Sequence, residues 1–185
     1  LIVIACNTVT VNAISFLRER FPSVSFVGVE PAVKPGARLA KKGIMVLSSP
    51  KATKSKQLSS LIEKYAGRIK VFNIGSLELV HAVEEEWDLE KLVGVFEKII
   101  PQRVLKKVDV MVLGCTHFSL VKDEIQKYVG KDIQVIDSGK AVARRLRKVL
   151  IEEDKLKKKG KGDYNFFTTG KEEIIRGFKF ESIKR

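Results

Sequence analysis

Short apolar runs rich in β-branched residues alternate with amphipathic stretches along most of this chain, and that alternation is its strongest constraint on fold. Strands buried on both faces read as continuous apolar runs, while the helices covering them carry apolar residues at three- and four-residue spacing. The pattern predicts strands over residues 1–5, 25–29, 44–47, 69–72, 108–113, 133–136 and 164–168. It predicts helices over 7–20, 37–42, 54–65, 77–86, 89–100, 120–129 and 139–150, a polar turn at 48–53 and an exposed loop at 155–162. Pro22 and Pro101 each close a helix, because proline lacks the N–H that a helix interior needs. An order of this kind implies an α/β protein whose mostly parallel sheets are covered by helices.

Composition narrows the function classes. With 44% hydrophobic and 31% charged residues, a chain of 185 residues is expected to be a folded soluble protein rather than a disordered or fibrous one. Its apolar runs stop short of the roughly 18 consecutive residues that a membrane span needs, so no membrane partner is expected. Two cysteines are too few for a disulfide framework, and a reducing cytoplasm is the simplest compartment. The net charge of +13 suggests a nucleic-acid surface, but more than half of that excess lies within residues 140–161. Lys140, Arg144, Arg145, Arg147 and Lys148 fit the solvated face of a helix, and Lys155 to Lys161 a Lys-rich loop, better than a binding tail. No nucleic-acid partner is therefore expected. The chain opens on Leu1, in the middle of an apolar run, so it is expected to be the later part of a longer protein.

One internal echo carries the chemistry. An apolar strand followed by Cys6, Asn7 and Thr8 recurs as an apolar strand followed by Cys115, Thr116 and His117. Ligands of open α/β sheets bind beyond the carboxyl ends of strands, so both cysteines fall where chemistry is expected. A thiol at a strand-to-helix turn lies near backbone N–H groups and the positive end of a helix dipole, which lower its pKa from about 8.5. Two such thiols facing one site can lift a proton from one side of a carbon and deliver another from the opposite side. The alternative is that each cysteine packs as a small hydrophobe, a reading that the paired context weakens. His117 can relay a proton to Cys115 or donate to a substrate, whereas His81 reads as a surface or packed residue. Cys6, Cys115 and His117 fall one ligand short of a zinc site, and neither a G-x-G-x-x-G nor a P-loop is present, so neither metal nor cofactor is expected.

The segments IACNTVTVNA, VGVEPAVKP, LGCTHFSLVKDEI and VIDSGKAVARRL, in this order, closely resemble the glutamate racemase family of the aspartate/glutamate racemase superfamily. The resemblance runs from Leu1 to about Leu150, and FFTTG fits the family's closing strand. It implies cofactor-independent racemisation of glutamate for peptidoglycan synthesis, with another amino acid such as aspartate as the alternative substrate. Cys6 and Cys115 would be the two acid/bases, assisted by His117. Asn7, Thr8, Thr116 and His117 would hold the substrate's amino and carboxylate groups. Ser49 and either Ala52 or Thr53 would match substrate-binding hydroxyl positions of the family. Glu84 would assist through the imidazole or the substrate amine, although sequence alone slightly favours a solvated charge within Glu84, Glu85 and Glu86.

The same resemblance implies two pseudo-symmetric three-layer α/β domains facing a central cleft, the first one incomplete. Residues 1–30 plus 140–185 would form the first domain and 31–139 the second, with a homodimer admissible. The family's N-terminal Asp-Ser-Gly strand end and its Pro-Tyr-Gly loop would lie upstream of Leu1, so these 185 residues alone are expected to be inactive.

Overall fold

The computed structural model describes residues 1–85, 88–157, 159–171, 173–175 and 178–183. Two expected features reach beyond them: Glu86, at the end of the helix expected over 77–86, and Lys158 in the basic loop lie outside the described residues.

Two parallel sheets and the helices on them position the cysteines. The first pairs β1 (Ile2–Ile4) with β2 (Phe26–Gly28), joined by α1 (Asn7–Arg20). Thr10 stitches these three elements together: its buried hydroxyl donates to the Ile4 carbonyl at 3.3 Å and accepts the Val29 N–H at 3.2 Å. Gly28 permits the close approach, since a Cβ there would stand 2.3 Å from the Thr10 methyl.

After α2 (Val33–Leu39) comes the second sheet, built from β3 (Gly43–Ser48), β4 (Lys70–Gly75), β5 (Val110–Leu113) and β6 (Gln134–Ile136). Its order is β4-β3-β5-β6 and every pairing is parallel. Along β3 and β5 successive side chains enter opposite layers, as the two-residue period of a strand requires. Met45, Leu47, Met111 and Leu113 join Leu92, Phe96, Phe118 and Ile125 on one face. Ile44, Val46, Val110 and Val112 pack with Val33 and Leu58 on the other. Burial on both faces explains why these two strands read as unbroken apolar runs.

The covering helices begin where their caps dictate. In α3 (Pro50–Thr53), Pro50 occupies the first turn, where its missing N–H costs nothing. Ser55 caps α4 (Lys56–Tyr65), Ser76 caps α5 (Leu77–Glu84) and Asp88 caps α6 (Leu89–Ile99), each accepting a backbone N–H three residues on. Next come α7 (Gln102–Leu105), a 3₁₀ turn at His117–Val121, α8 (Lys122–Val129) and α9 (Gly139–Glu152). The helix α9 packs on β2, and the Ser138 hydroxyl that precedes it donates to the Glu30 carbonyl. Its cations Lys140, Arg144, Arg145, Arg147 and Lys148 are all exposed, and Glu152 pairs with Arg145 and Lys148. The chain closes with β7 (Phe167–Thr168), β8 (Glu173–Ile175) and β9 (Phe178–Ser182), where β9 lies parallel to β7 and antiparallel to β8.

The result is a mixed α/β fold with mostly parallel sheets, as the alternating pattern implies. Several boundaries differ. The helix expected at 37–42 spans Val33–Leu39, because Pro35 sits inside its first turn instead of preceding it. The polar turn at 48–53 contains the single turn of α3, and the helix expected from 120 is preceded by the 3₁₀ turn. The closing strand expected over 164–168 is confined to Phe167–Thr168. Among the described residues no helix is long and apolar enough to cross a membrane.

Candidate active site

Both cysteines stand beyond the carboxyl ends of parallel strands, one from each sheet, and both are half-buried. Cys6 is the extended N-cap residue of α1, while Cys115 links β5 to the 3₁₀ turn. A ring of backbone and side chains holds the two loops against each other. The Asn7 amide donates to the Gly114 carbonyl at 2.7 Å, and the Thr116 hydroxyl donates to the Ala5 carbonyl at 3.2 Å. Asn7 is 4% exposed, and its buried side-chain oxygen has no hydrogen-bond partner among the described residues.

Behind Cys115 runs a polar chain. The Cys115 sulfur lies 3.6 Å from His117 Nδ1, and His117 Nε2 lies 2.9 Å from Glu84 Oε1. The 3₁₀ turn presents His117 to α5, the helix that ends on Glu84. With Nε2–H donated to the carboxylate, Nδ1 is left as an acceptor toward the thiol. The imidazole can then take the Cys115 proton while Glu84 stabilises the resulting cation. Sequence alone slightly favours a solvated charge for Glu84, and the structure leaves its side chain exposed while pairing it with His117.

The Cys115 thiol does not have the lowered pKa that a strand-to-helix turn suggests. Burial pushes the Cys115 thiol above its ordinary value, although the backbone N–H groups of His117 and Phe118 pull it down. Negative charge on Cys6 pushes in the same direction as burial. Glu84 adds a further upward push.

A cavity of about 360 Å³ adjoins Asn7, Cys115 and Thr116. Its wall is mainly apolar, from Val3, Val29, Leu113, Val142 and Leu146, so it suits a charged amino acid poorly. The polar cluster around the thiols, not this cavity, is the candidate site. Thr8 is half-buried in the first turn of α1, beside Asn7. Ser49 and Thr53 do not line the cavity, and both hydroxyls serve their own turn: Ser49 accepts the Ala52 N–H at 3.4 Å and Thr53 donates to the Pro50 carbonyl at 2.7 Å. Ala52 is buried, so Thr53 carries the more accessible side chain of the pair. Thr10 and Ser138 support the site without any sequence signal to single them out, since hydroxyls of this kind recur along the chain. Among the described residues no three His, Cys, Asp or Glu side chains converge to hold a metal ion.

Residues 1–146 match the family described as Asp/Glu/Hydantoin racemase. The chain belongs to that family. Glutamate racemase of Vibrio cholerae serotype O1 is 39% identical over 155 residues that cover 81% of this chain and 56% of that protein. Glutamate racemase of Shewanella frigidimarina is 36% identical over 159 residues, covering 83% of this chain and 60% of that protein. Among solved structures, Escherichia coli glutamate racemase in complex with L-glutamate and the activator UDP-MurNAc-ala superposes with a TM-score of 0.76 at 31% identity, covering 95% of this chain and 65% of that one. A glutamate racemase of Bacillus anthracis superposes with a TM-score of 0.75 at 28% identity, covering 91% of this chain and 64% of that one. The chain thus spans less than two thirds of the length of these racemases, whose two-domain α/β architecture it shares in part.

Proposed function

We propose that the protein interconverts the enantiomers of an amino acid, glutamate before aspartate, through proton transfer by Cys6 and Cys115. The observation that carries this reading is the closed arrangement of two half-buried thiols from different sheets, one of them in contact with His117 and, through it, Glu84. In one direction a thiolate removes the α-proton and the other, protonated sulfur returns a proton to the opposite face. In the reverse direction the roles exchange, so no covalent intermediate forms. His117 gives the Cys115 proton a place to go, and Glu84 holds the imidazole in position. The α-proton of an amino acid is far less acidic than a thiol, so water must be excluded and the developing charge stabilised while it is removed.

The preference for glutamate rests on the named relatives. The corresponding role is provision of D-glutamate for peptidoglycan, in the cytoplasm. We divide the chain into residues 1–30 plus 140–185 and 31–139, a reading supported by the Ser138–Glu30 hydrogen bond between the two proposed crossing points. A homodimer is compatible with this division. The Asp-Ser-Gly strand end and the Pro-Tyr-Gly loop that the resemblance implies would complete the site.

The test uses the protein with those elements present. Cys6→Ser and Cys115→Ser should each depress interconversion by at least about a thousandfold, while exchange of the α-proton with deuterated water persists from opposite enantiomers in the two variants. Normal racemisation by either variant would sink the two-thiol mechanism. Polarimetry on a panel of D- and L-amino acids decides the substrate.

A further inference from the structure

The two hydrogen bonds that link the cysteine loops are reciprocal. The residue after Cys6, Asn7, binds the carbonyl before Cys115, and the residue after Cys115, Thr116, binds the carbonyl before Cys6. Ala5, Cys6, Asn7, Gly114, Cys115 and Thr116 therefore close a ring in which each cysteine is bracketed by both bonds. Each anchor is itself held by a sheet. Gly114 donates its N–H to the Leu47 carbonyl at 2.7 Å, and a Cβ at this position would stand 2.9 Å from Ser48 Cβ, so it packs closely against β3. Ile4, before Ala5, accepts the Val29 N–H at 3.1 Å. The donors committed to this ring are those that the resemblance assigns to substrate binding.

We propose that Asn7 and Thr116 are positioning residues that set the separation of the two thiols by clasping each cysteine loop to the other. The proposal rests on the two-thiol reading for its consequence in catalysis, but the spacing itself can be measured without any reaction of substrate. Losing one bond leaves a single hinge point about which the loops pivot. Losing both frees the two sheets to move the sulfurs apart.

Dibromobimane tests this, because it fluoresces only after two thiolates have displaced both of its bromides. In the protein it should bridge Cys6 and Cys115. Thr116→Val, which keeps the shape of the side chain and loses the donor, and Asn7→Leu should each slow bridging about fivefold, the size expected of one neutral hydrogen bond, and the double variant by more than about tenfold. Thr116→Ser should restore the original rate, and iodoacetamide should label each cysteine singly at an unchanged rate in every variant. A bridging rate that Thr116→Val leaves unchanged, or that Thr116→Ser fails to rescue, overturns the clasp. Should circular dichroism show Asn7→Leu unfolded, the Thr116 pair of variants decides alone. A protein that bridges as described yet racemises nothing overturns the proposed function and leaves the clasp standing. A racemising protein whose bridging ignores Thr116 overturns the clasp alone.

Discussion

His117 Nε2 lies 2.9 Å from Glu84 Oε1, while Nδ1 of the same ring faces the Cys115 sulfur at 3.6 Å. One imidazole is thereby engaged at both nitrogens, which fixes its orientation and gives the carboxylate a route of influence on the thiol. Glu84→Gln keeps the shape of the side chain and removes its charge. It is expected to lower kcat for racemisation about tenfold with little change in KM, since a positioned acid/base chain acts in the transition state. An equal rise in KM with kcat untouched would assign Glu84 to substrate binding instead.

The upward push on Cys115 has a signature in alkylation. A raised pKa keeps the thiol protonated to higher pH, so its thiolate fraction at neutrality falls below that of an ordinary cysteine. In Cys6→Ser, where only Cys115 reacts, the rate of iodoacetamide labelling should rise through a midpoint above the usual thiol value of about 8.5. Because burial is the largest cause, the midpoint should stay high after the Cys6 charge is removed. Labelling that is already maximal at neutral pH would contradict this.

Asp109 offers a pH test of the scaffold. Partial burial raises its carboxyl, but the backbone N–H groups of Lys41, Lys42 and Gly43 outweigh that and hold it below its ordinary value. A carboxyl depressed in the folded state contributes stability above its unfolded pKa and loses it as pH falls through the folded value. Asp109→Asn should therefore cost about 1 kcal/mol near neutrality, discounted for solvent screening, with the deficit shrinking below about pH 4. Urea titrations at both pH values measure it, and a deficit independent of pH would point to packing instead.

Gly114 is tightly enclosed by β3. In Gly114→Ala the new methyl would meet Ser48 Cβ at 2.9 Å and Val46 Cγ1 at 3.3 Å, both close to rigid backbone. Thermal unfolding should show a loss of about 1–3 kcal/mol, the usual cost of overpacking. The same variant should slow bridging of the two thiols, since the carbonyl that Asn7 holds would be displaced. A stable variant with unaltered bridging would show that β3 and β5 can part locally.

Much of the fold was legible because its cause is local. The unbroken apolar character of residues 44–47 and 110–113 follows from burial on both faces, and the structure shows that burial residue by residue. Misplaced boundaries cluster where proline and short turns set the geometry, at Pro35, at Pro50 and in the 3₁₀ turn after Cys115. There the apolar period is silent, and only the neighbouring elements decide where a helix can begin. Glu84 shows the same limit within the site. Its place in a run of three glutamates reads as a solvated helix face, and only the packing of α5 against the 3₁₀ turn brings it to His117.

By itself, the sequence determined the order of elements, the two strand-to-turn cysteine motifs and the family to which they belong, because these depend on residue type and spacing along the chain. Tertiary structure alone decided which groups meet across it: Asn7 with Gly114, Thr116 with Ala5 and His117 with Glu84. It also reversed the expected direction of the Cys115 pKa. Proximity to N–H groups is a local property of the turn, but burial, the largest contribution, comes from side chains distant in sequence that exclude water from the sulfur.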